Sequence, residues 1–270
     1  MSGRHRPSLA FAAGGAVAAV ASGCFDWAVH RRRDPIAFLT TSLAGLGAGE
    51  ALEATVEVEA GATGTVTTQG PSSLLRTARD AVSRWHLRVG PGGHLTFLPW
   101  LTLPYPGSRS VTEVSVRLEP GATLCAWDVL AVGRIARGEL LELAGLRTRW
   151  TFAGPGGPLL DDRLRLDAAS REEAASALAG LTHVGTLYLA GLSESSLPLE
   201  RVRSQLAGLE LAGASRPTGE LLVVRGLDRS AERLEQAFWP LVCLARDLAG
   251  VAPLAPSDAA RRWFRTAAGS

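Results

Sequence analysis

Apolar and polar residues alternate along much of the chain between about residues 50 and 166. The clearest case is the segment 52–59, LEATVEVE, which is followed by an Ala-Gly-Ala turn at 60–62. Alternation with a period of two is typical of a strand that buries one face. We therefore predict that this region is built of successive β-strands.

The strand-and-turn pattern repeats along the chain. VEVEAGAT at 56–63 matches VRLEPGAT at 116–123, and LRVGPGGHL at 87–95 resembles WTFAGPGGPL at 150–159. The four units begin at residues 56, 87, 116 and 150. Such a unit cannot bury its apolar face alone, so neighbouring units must stack. This predicts a mainly β protein with an elongated, helically wound or stacked architecture and not a doubly wound sheet.

The periodicity changes after residue 168. Ser170 and Glu173 form a capping-box pattern that predicts a short helix to Leu178. Strands are predicted at 184–189 and 220–225, where apolar β-formers cluster.

Two further helices are predicted in the C-terminal third. One carries an apolar face at 199–209, and a longer one begins at Ser230. Pro240 should kink or restart the longer helix because its ring removes a backbone hydrogen bond. We expect one domain over 1–270, with a β-rich body at about 8–168, a mixed α/β portion at about 169–250 and a tail at 251–270.

The N-terminal segment supports two interpretations. Basic residues at 4–6, an apolar stretch at 9–20 and Cys24 resemble an export signal, which would make the chain an exported β-rich binding protein. Gly14-Gly15 interrupts that stretch, however, and allows two strands, 8–12 and 16–21, joined by a tight turn. We favour the hairpin and a cytoplasmic protein.

Composition and charge argue against several classes of protein. The net charge of the 270-residue chain is only +2, which argues against nucleic acid as a partner. Apart from the N-terminal segment, no stretch is long and apolar enough for a membrane span. Three widely spaced cysteines argue against a disulfide framework and favour reduced, buried thiols.

Motifs for enzymatic chemistry are absent from the sequence: it has no GxSxG, HExxH or P-loop pattern. The five histidines show no metal-ligand spacing, so we expect neither a tight metal site nor a resident cofactor. His86 and His94 flank one predicted hairpin and could converge, but we interpret them as surface residues.

Acidic residues inside apolar β segments are the main candidates for function: Asp128, Glu139 and Asp162. A buried carboxylate costs several kcal/mol unless it is paired or coordinates a cation. One hypothesis is ion pairing with Arg134 or Arg163. Another is an internal polar passage whose oxygen ligands hold a divalent ion weakly enough to release it. A third, a β-solenoid hydrolase with paired catalytic carboxylates, has no recognisable aromatic sugar platform to support it.

Several short motifs follow one another along the chain: Thr67-Thr68, residues 124–128 followed by Gly133-Arg134 and Gly138-Glu139, the 158–164 stretch with Asp162-Arg163, Val223-Val224-Arg225, and Arg262-Trp263. In their order and spacing they resemble the UreD/UreH family of urease accessory proteins, from about residue 40 to 266. One turn departs from the family pattern, since 44–50 ends in Glu50 where the family has aspartate. The stretch at 72–76 also lacks the family's usual Lys and Tyr.

The resemblance implies a non-enzymatic scaffold that helps to load nickel into apo-urease. It implies a helical accessory partner (UreF-like) and a GTPase partner (UreG-like), whose GTP hydrolysis drives nickel release. Nickel would be bound only transiently, in an internal tunnel. On this basis the tunnel candidates are Asp128, Glu139, Asp162 and Glu50.

Overall fold

The computed structural model describes residues 4–31, 33–42, 45–47 and 49–254. About half of this part of the chain is in β-strands. The strands are β1 Arg4–His5, β2 Ser8–Phe11, β3 Val17–Val20, β4 Phe25–His30, β5 Ile36–Thr41, β6 Ala51–Val58, β7 Thr63–Thr68, β8 Ser72–Leu74, β9 Ala81–Val89, β10 His94–Leu98, β11 Thr102–Pro104, β12 Arg109–Leu118, β13 Thr123–Ala131, β14 Gly145–Gly154, β15 Gly157–Asp167, β16 His183–Ala190, β17 Leu211–Thr218 and β18 Leu221–Asp228.

Three α-helices follow β15 in the chain: α1 Arg171–Leu178, α2 Leu199–Gln205 and α3 Ala231–Leu248. Two short 3-10 turns occur at Ala13–Gly15 and Ile135–Arg137. The prediction of a mainly β chain with a few C-terminal helices is confirmed. No helix in the described part of the chain combines the length and apolar character needed to cross a bilayer.

Two sheets form the body of the protein. The first sheet has the order β15-β14-β12-β9-β6-β2-β3, with β1 also on β6. The second has the order β17-β18-β16-β13-β10-β7-β5-β4, with β8 and β11 attached. Inner-face residues of both sheets form one apolar core. A second apolar core lies between α3 and the outer face of the second sheet.

The repeated units form the turns of a coil. β6, β9 and β12 are parallel in the first sheet, and each passes through a short turn to β7, β10 or β13, which are parallel in the second. Val56 therefore lies beside Leu87, and Leu87 beside Val116. The sixty-residue repeat spans two coils, which confirms the stacked arrangement.

The fourth repeat unit behaves differently. β14 and β15 form an antiparallel hairpin within the first sheet, where the first three units cross between sheets. The place beside β13 in the second sheet is occupied by β16, which pairs with it antiparallel. The chain therefore turns back at Gly157 and does not begin another crossing.

Local predictions in the helical region are mostly confirmed. α1 begins where predicted, but Ser170 makes no capping bond and instead donates to Asp167. Ser230 does cap α3 by accepting from the Arg233 amide. Pro240 does not restart α3, which runs as one helix.

The N-terminal hairpin is confirmed. β2 and β3 are antiparallel, and Gly14 and Gly15 take the positive φ angles that the tight turn requires. Leu9 and Phe11 are buried in the core between the sheets. Residues 8–20 are thus an integral part of the first sheet.

The prediction that both histidines lie at the surface is wrong for His94, whereas the His86 side chain is about half-exposed. His86 lies in the first sheet and His94 in the second, so they do not flank one hairpin. His94 is buried and contacts the hydroxyls of Thr96 and Thr123 at 2.8 and 2.7 Å. Burial, together with the charge of Arg246, lowers the pKa of His94 to about 3, so it is neutral.

Candidate functional site

A cavity of about 270 Å³ lies between the two sheets. Its walls include the rings of Trp85, Phe97 and Trp150, and hydroxyl groups from both sheets line it as well. Exposed Gln69 and Pro71 belong to the lining, so the cavity opens to solvent beside them. Asp128 contributes a carboxylate.

Strand alternation directs Asp128 into this cavity. Leu124 and Ala126 of β13 pack in the core between the sheets, whereas Trp127 packs under α3. Asp128 is two residues from Ala126 and therefore shares the inner face. Burial raises its pKa to about 6, a hydrogen bond from the Trp150 indole opposes this shift, and the charge of Asp162 adds to it.

Asp162 lies directly behind the wall of this cavity. It stands opposite Trp150 in the β14–β15 pair, accepts a 2.7 Å hydrogen bond from the Tyr188 hydroxyl and pairs with Arg225. Trp150 stacks on Tyr188 with ring centroids 4.8 Å apart and donates to Asp128 at 3.3 Å. Asp128 and Asp162 thus belong to one network, joined through two aromatic rings.

Glu139 lies elsewhere, in a bidentate ion pair with Arg134. The two Arg134 nitrogens lie 2.6 and 2.5 Å from the Glu139 oxygens, and the guanidinium stacks 4.1 Å from the Tyr105 ring centroid. The pair lowers the pKa of Glu139. Glu139 is absent from the cavity lining. For this residue the geometry favours the ion-pair hypothesis.

The remaining candidates make local contacts. Glu50 accepts a 2.7 Å hydrogen bond from the Gly47 amide within its own turn. Thr67 is buried and donates to the Leu98 carbonyl, which joins neighbouring coils. Thr68 lines the cavity and accepts from the Trp100 amide at 2.9 Å.

Arg163 pairs with Asp161, which is not one of the candidate acids. It lies on the exposed face of the first sheet, where it and Arg149 both bind Asp161. The partner of Asp162 is Arg225. The sequence marks Arg225 only as the end of the Val-Val-Arg segment, and nothing near it in the chain points to Asp162. Trp150 was not predicted as a site residue, although it opens one of the repeat units.

A preformed metal cage is not evident. Among the described residues, no three His, Cys, Asp or Glu side chains are grouped so that they could hold one ion. The carboxylate of Asp128 and the surrounding hydroxyls are hard oxygen donors, which suit weak contacts with a divalent cation.

The fold and cavity define a mainly β scaffold with an acidic internal chamber. The model of the UreD urease accessory protein family matches residues 27–260. The chain is 30% identical over 218 residues to a urease accessory protein UreD of Pseudomonas entomophila, covering 78% of this chain and 75% of the relative. It is 33% identical over 202 residues to that of Pseudomonas putida, covering 72% and 70%. A haloarchaeal UreD, from Haloarcula marismortui, is 30% identical over 203 residues, covering 73% and 68%.

The chain therefore belongs to the UreD family of urease accessory proteins. It is a maturation factor and not the hydrolase considered above.

Proposed function

We propose that this chain is a nickel-transfer scaffold in urease maturation, working with a UreF-like helical protein and a UreG-like GTPase on apo-urease. The observation that carries the proposal is the Asp128 carboxylate facing a cavity that opens to solvent. Hard oxygen donors without a closed ligand set hold a divalent ion loosely, which suits transfer better than storage.

Asp128 is the residue that contacts the ion in this proposal, and Asp162 has a positioning role. Asp162 fixes the Tyr188 hydroxyl, and Tyr188 stacks on the Trp150 ring that donates to Asp128. The ion meets Asp128 with that carboxylate already held in place. Glu139 and Glu50 have roles in local structure, because Glu139 pairs with Arg134 and Glu50 accepts a hydrogen bond from the Gly47 amide.

The test compares urease activation with assembly of the maturation complex. Asp128→Asn should leave the complex intact while lowering urease activity by about tenfold, the usual lower range for loss of a metal contact or its support. Asp161→Asn is the matched control, because Asp161 neighbours Asp162 but lies on the exposed face with Arg149 and Arg163. It should change neither readout.

Two other outcomes decide against the proposal. Loss of complex and activity together in Asp128→Asn would mean that the residue serves folding alone. Full urease activity in Asp128→Asn, with the complex assembled, would show that nickel does not depend on this carboxylate.

A further inference from the structure

The cavity wall contains aromatic rings that the proposed metal transfer does not use. Trp85 meets Phe97 edge-on with ring centroids 5.0 Å apart, and Phe97 meets Trp150 in the same way at 6.0 Å. All three rings line the cavity. The three rings therefore form one packed aromatic cluster in the cavity wall, in which Trp85 is the most exposed ring.

The described lining of the cavity carries one charged group. Asp128 is the one ionisable carboxylate among the described residues that line the cavity, and the lining set contains no Lys, Arg or His side chain to neutralise it. A single carboxylate neutralises one positive charge, so a monovalent cation beside it leaves no net charge in the cavity. Aromatic rings attract cations through their quadrupole when the cation lies within about 6 Å of the ring centroid.

We propose that this cavity is a binding site for a small organic ammonium ion. The ammonium group lies against Asp128, and the hydrocarbon part lies against the ring of Trp85, the most exposed of the three rings. The volume of about 270 Å³ is just below the usual range for small-molecule sites, roughly 300–1,000 Å³. A ligand about the size of a benzylamine therefore fits, and it enters past Gln69 and Pro71.

The test uses two probes of nearly equal shape on the full-length protein. Dissociation constants of benzylammonium chloride and neutral benzyl alcohol are measured by calorimetry above the pKa of Asp128, at about pH 8. Benzylammonium should bind about tenfold more tightly or better, because it adds a charge pair and a cation–π contact. Equal affinity of the two probes, or no binding of benzylammonium, overturns the inference without any variant.

Variants locate the site. Asp128→Asn should abolish the preference for benzylammonium, whereas Glu57→Gln, an exposed carboxylate paired with Arg88 outside the cavity, should retain it. Trp85→Leu should weaken benzylammonium binding, and Trp85→Phe should restore most of it because a ring is kept. An unchanged preference in Asp128→Asn would place the ammonium elsewhere and refute the proposal.

The same variants separate this inference from nickel transfer. Urease activation depends on Asp128 in the proposed function but has no need of the Trp85 ring face. If Trp85→Leu weakens benzylammonium binding and spares urease activation, the two ligands share Asp128 but only the ammonium ion needs the Trp85 ring. If neither probe binds while Asp128→Asn still lowers urease activation, the ammonium site is refuted and the proposed function stands.

Discussion

At the scale of single residues, Asp128 should make the stability of the fold depend on pH. Burial raises its pKa to about 6 in the folded protein, above the value of about 3.9 for an exposed aspartate. The stability that Asp128 contributes is therefore present below about pH 4 and is lost as the pH rises through about 6. The difference corresponds to at most about 3 kcal/mol between acidic and neutral pH.

Asp128→Asn should accordingly reduce the loss of stability between about pH 5 and pH 8, as measured by urea denaturation midpoints. His94 acts with the opposite sign, because its lowered pKa costs stability as the pH falls, but both proteins share it. Asp161→Asn is the control, since Arg163 and Arg149 hold the pKa of Asp161 far below this range. Parallel pH profiles for wild type and Asp128→Asn would contradict the prediction.

The contacts of these residues show what a sequence can predict at this scale. Asp128 can be singled out from the sequence because it is the one acid in the otherwise apolar run 124–130. The partner of Asp162 was not accessible in the same way, because Arg225 is 63 positions away and reaches it only through the order of the strands. Arg163, its chain neighbour, faces the opposite side of β15 and pairs with Asp161.

At the scale of strands, the N-terminal hairpin, which pairs with β6, also makes a close contact with β7 of the opposite sheet. A Cβ atom added to Gly64 of β7 would lie 2.3 Å from the Phe11 ring of β2, so Gly64 leaves room for the ring. Phe11 is fully buried. Phe11→Ala should cost about 3–5 kcal/mol in unfolding free energy, because it leaves a cavity between the sheets.

A double-mutant cycle tests this contact. Gly64→Ala should destabilise the wild-type protein markedly, yet cost much less in the Phe11→Ala background, where the ring is gone. Gly156→Ala is a control, because an added Cβ there meets no atom within 4 Å and no positive φ is involved. Simple additivity of the Gly64 and Phe11 changes would show that β2 does not pack on β7 as described.

The sequence predicts strands well where a local pattern of residues is enough. It predicts them poorly where the arrangement depends on which strands are neighbours in the sheet. The turns after β6, β9 and β12 carry similar sequences and make similar crossings. The turn after β14 resembles them but ends in a hairpin, because β16 already occupies the position beside β13. Which strand fills a position in a sheet is a property of the whole chain, and a turn sequence does not contain it.

At the scale of the whole molecule, open sheet edges should limit how well the protein behaves alone. β3 and β15 end the first sheet, and β17 and β4 end the second. Val20 on β3 is 57% exposed and Leu211 on β17 is 53% exposed. Sheet edges in soluble proteins are usually guarded by charges, especially lysine, and this sequence has no lysine.

We therefore expect the chain expressed alone to be poorly soluble and its helical accessory partner to rescue it on co-expression, since partner contacts would cover exposed strand surface. Val20→Lys and Leu211→Lys should each raise the soluble fraction of the chain alone, because a charge on an edge strand opposes pairing with another chain. The control is Thr151→Lys, on the outer face of β14, which has a neighbouring strand on both sides and so presents no open edge. The measurement is soluble yield with and without the partner, alongside sedimentation of the soluble fraction. A freely soluble monomer that does not bind the partner in a pull-down would refute the argument. An equal increase in soluble yield from the edge variants and from Thr151→Lys would show that added charge, and not edge protection, sets solubility.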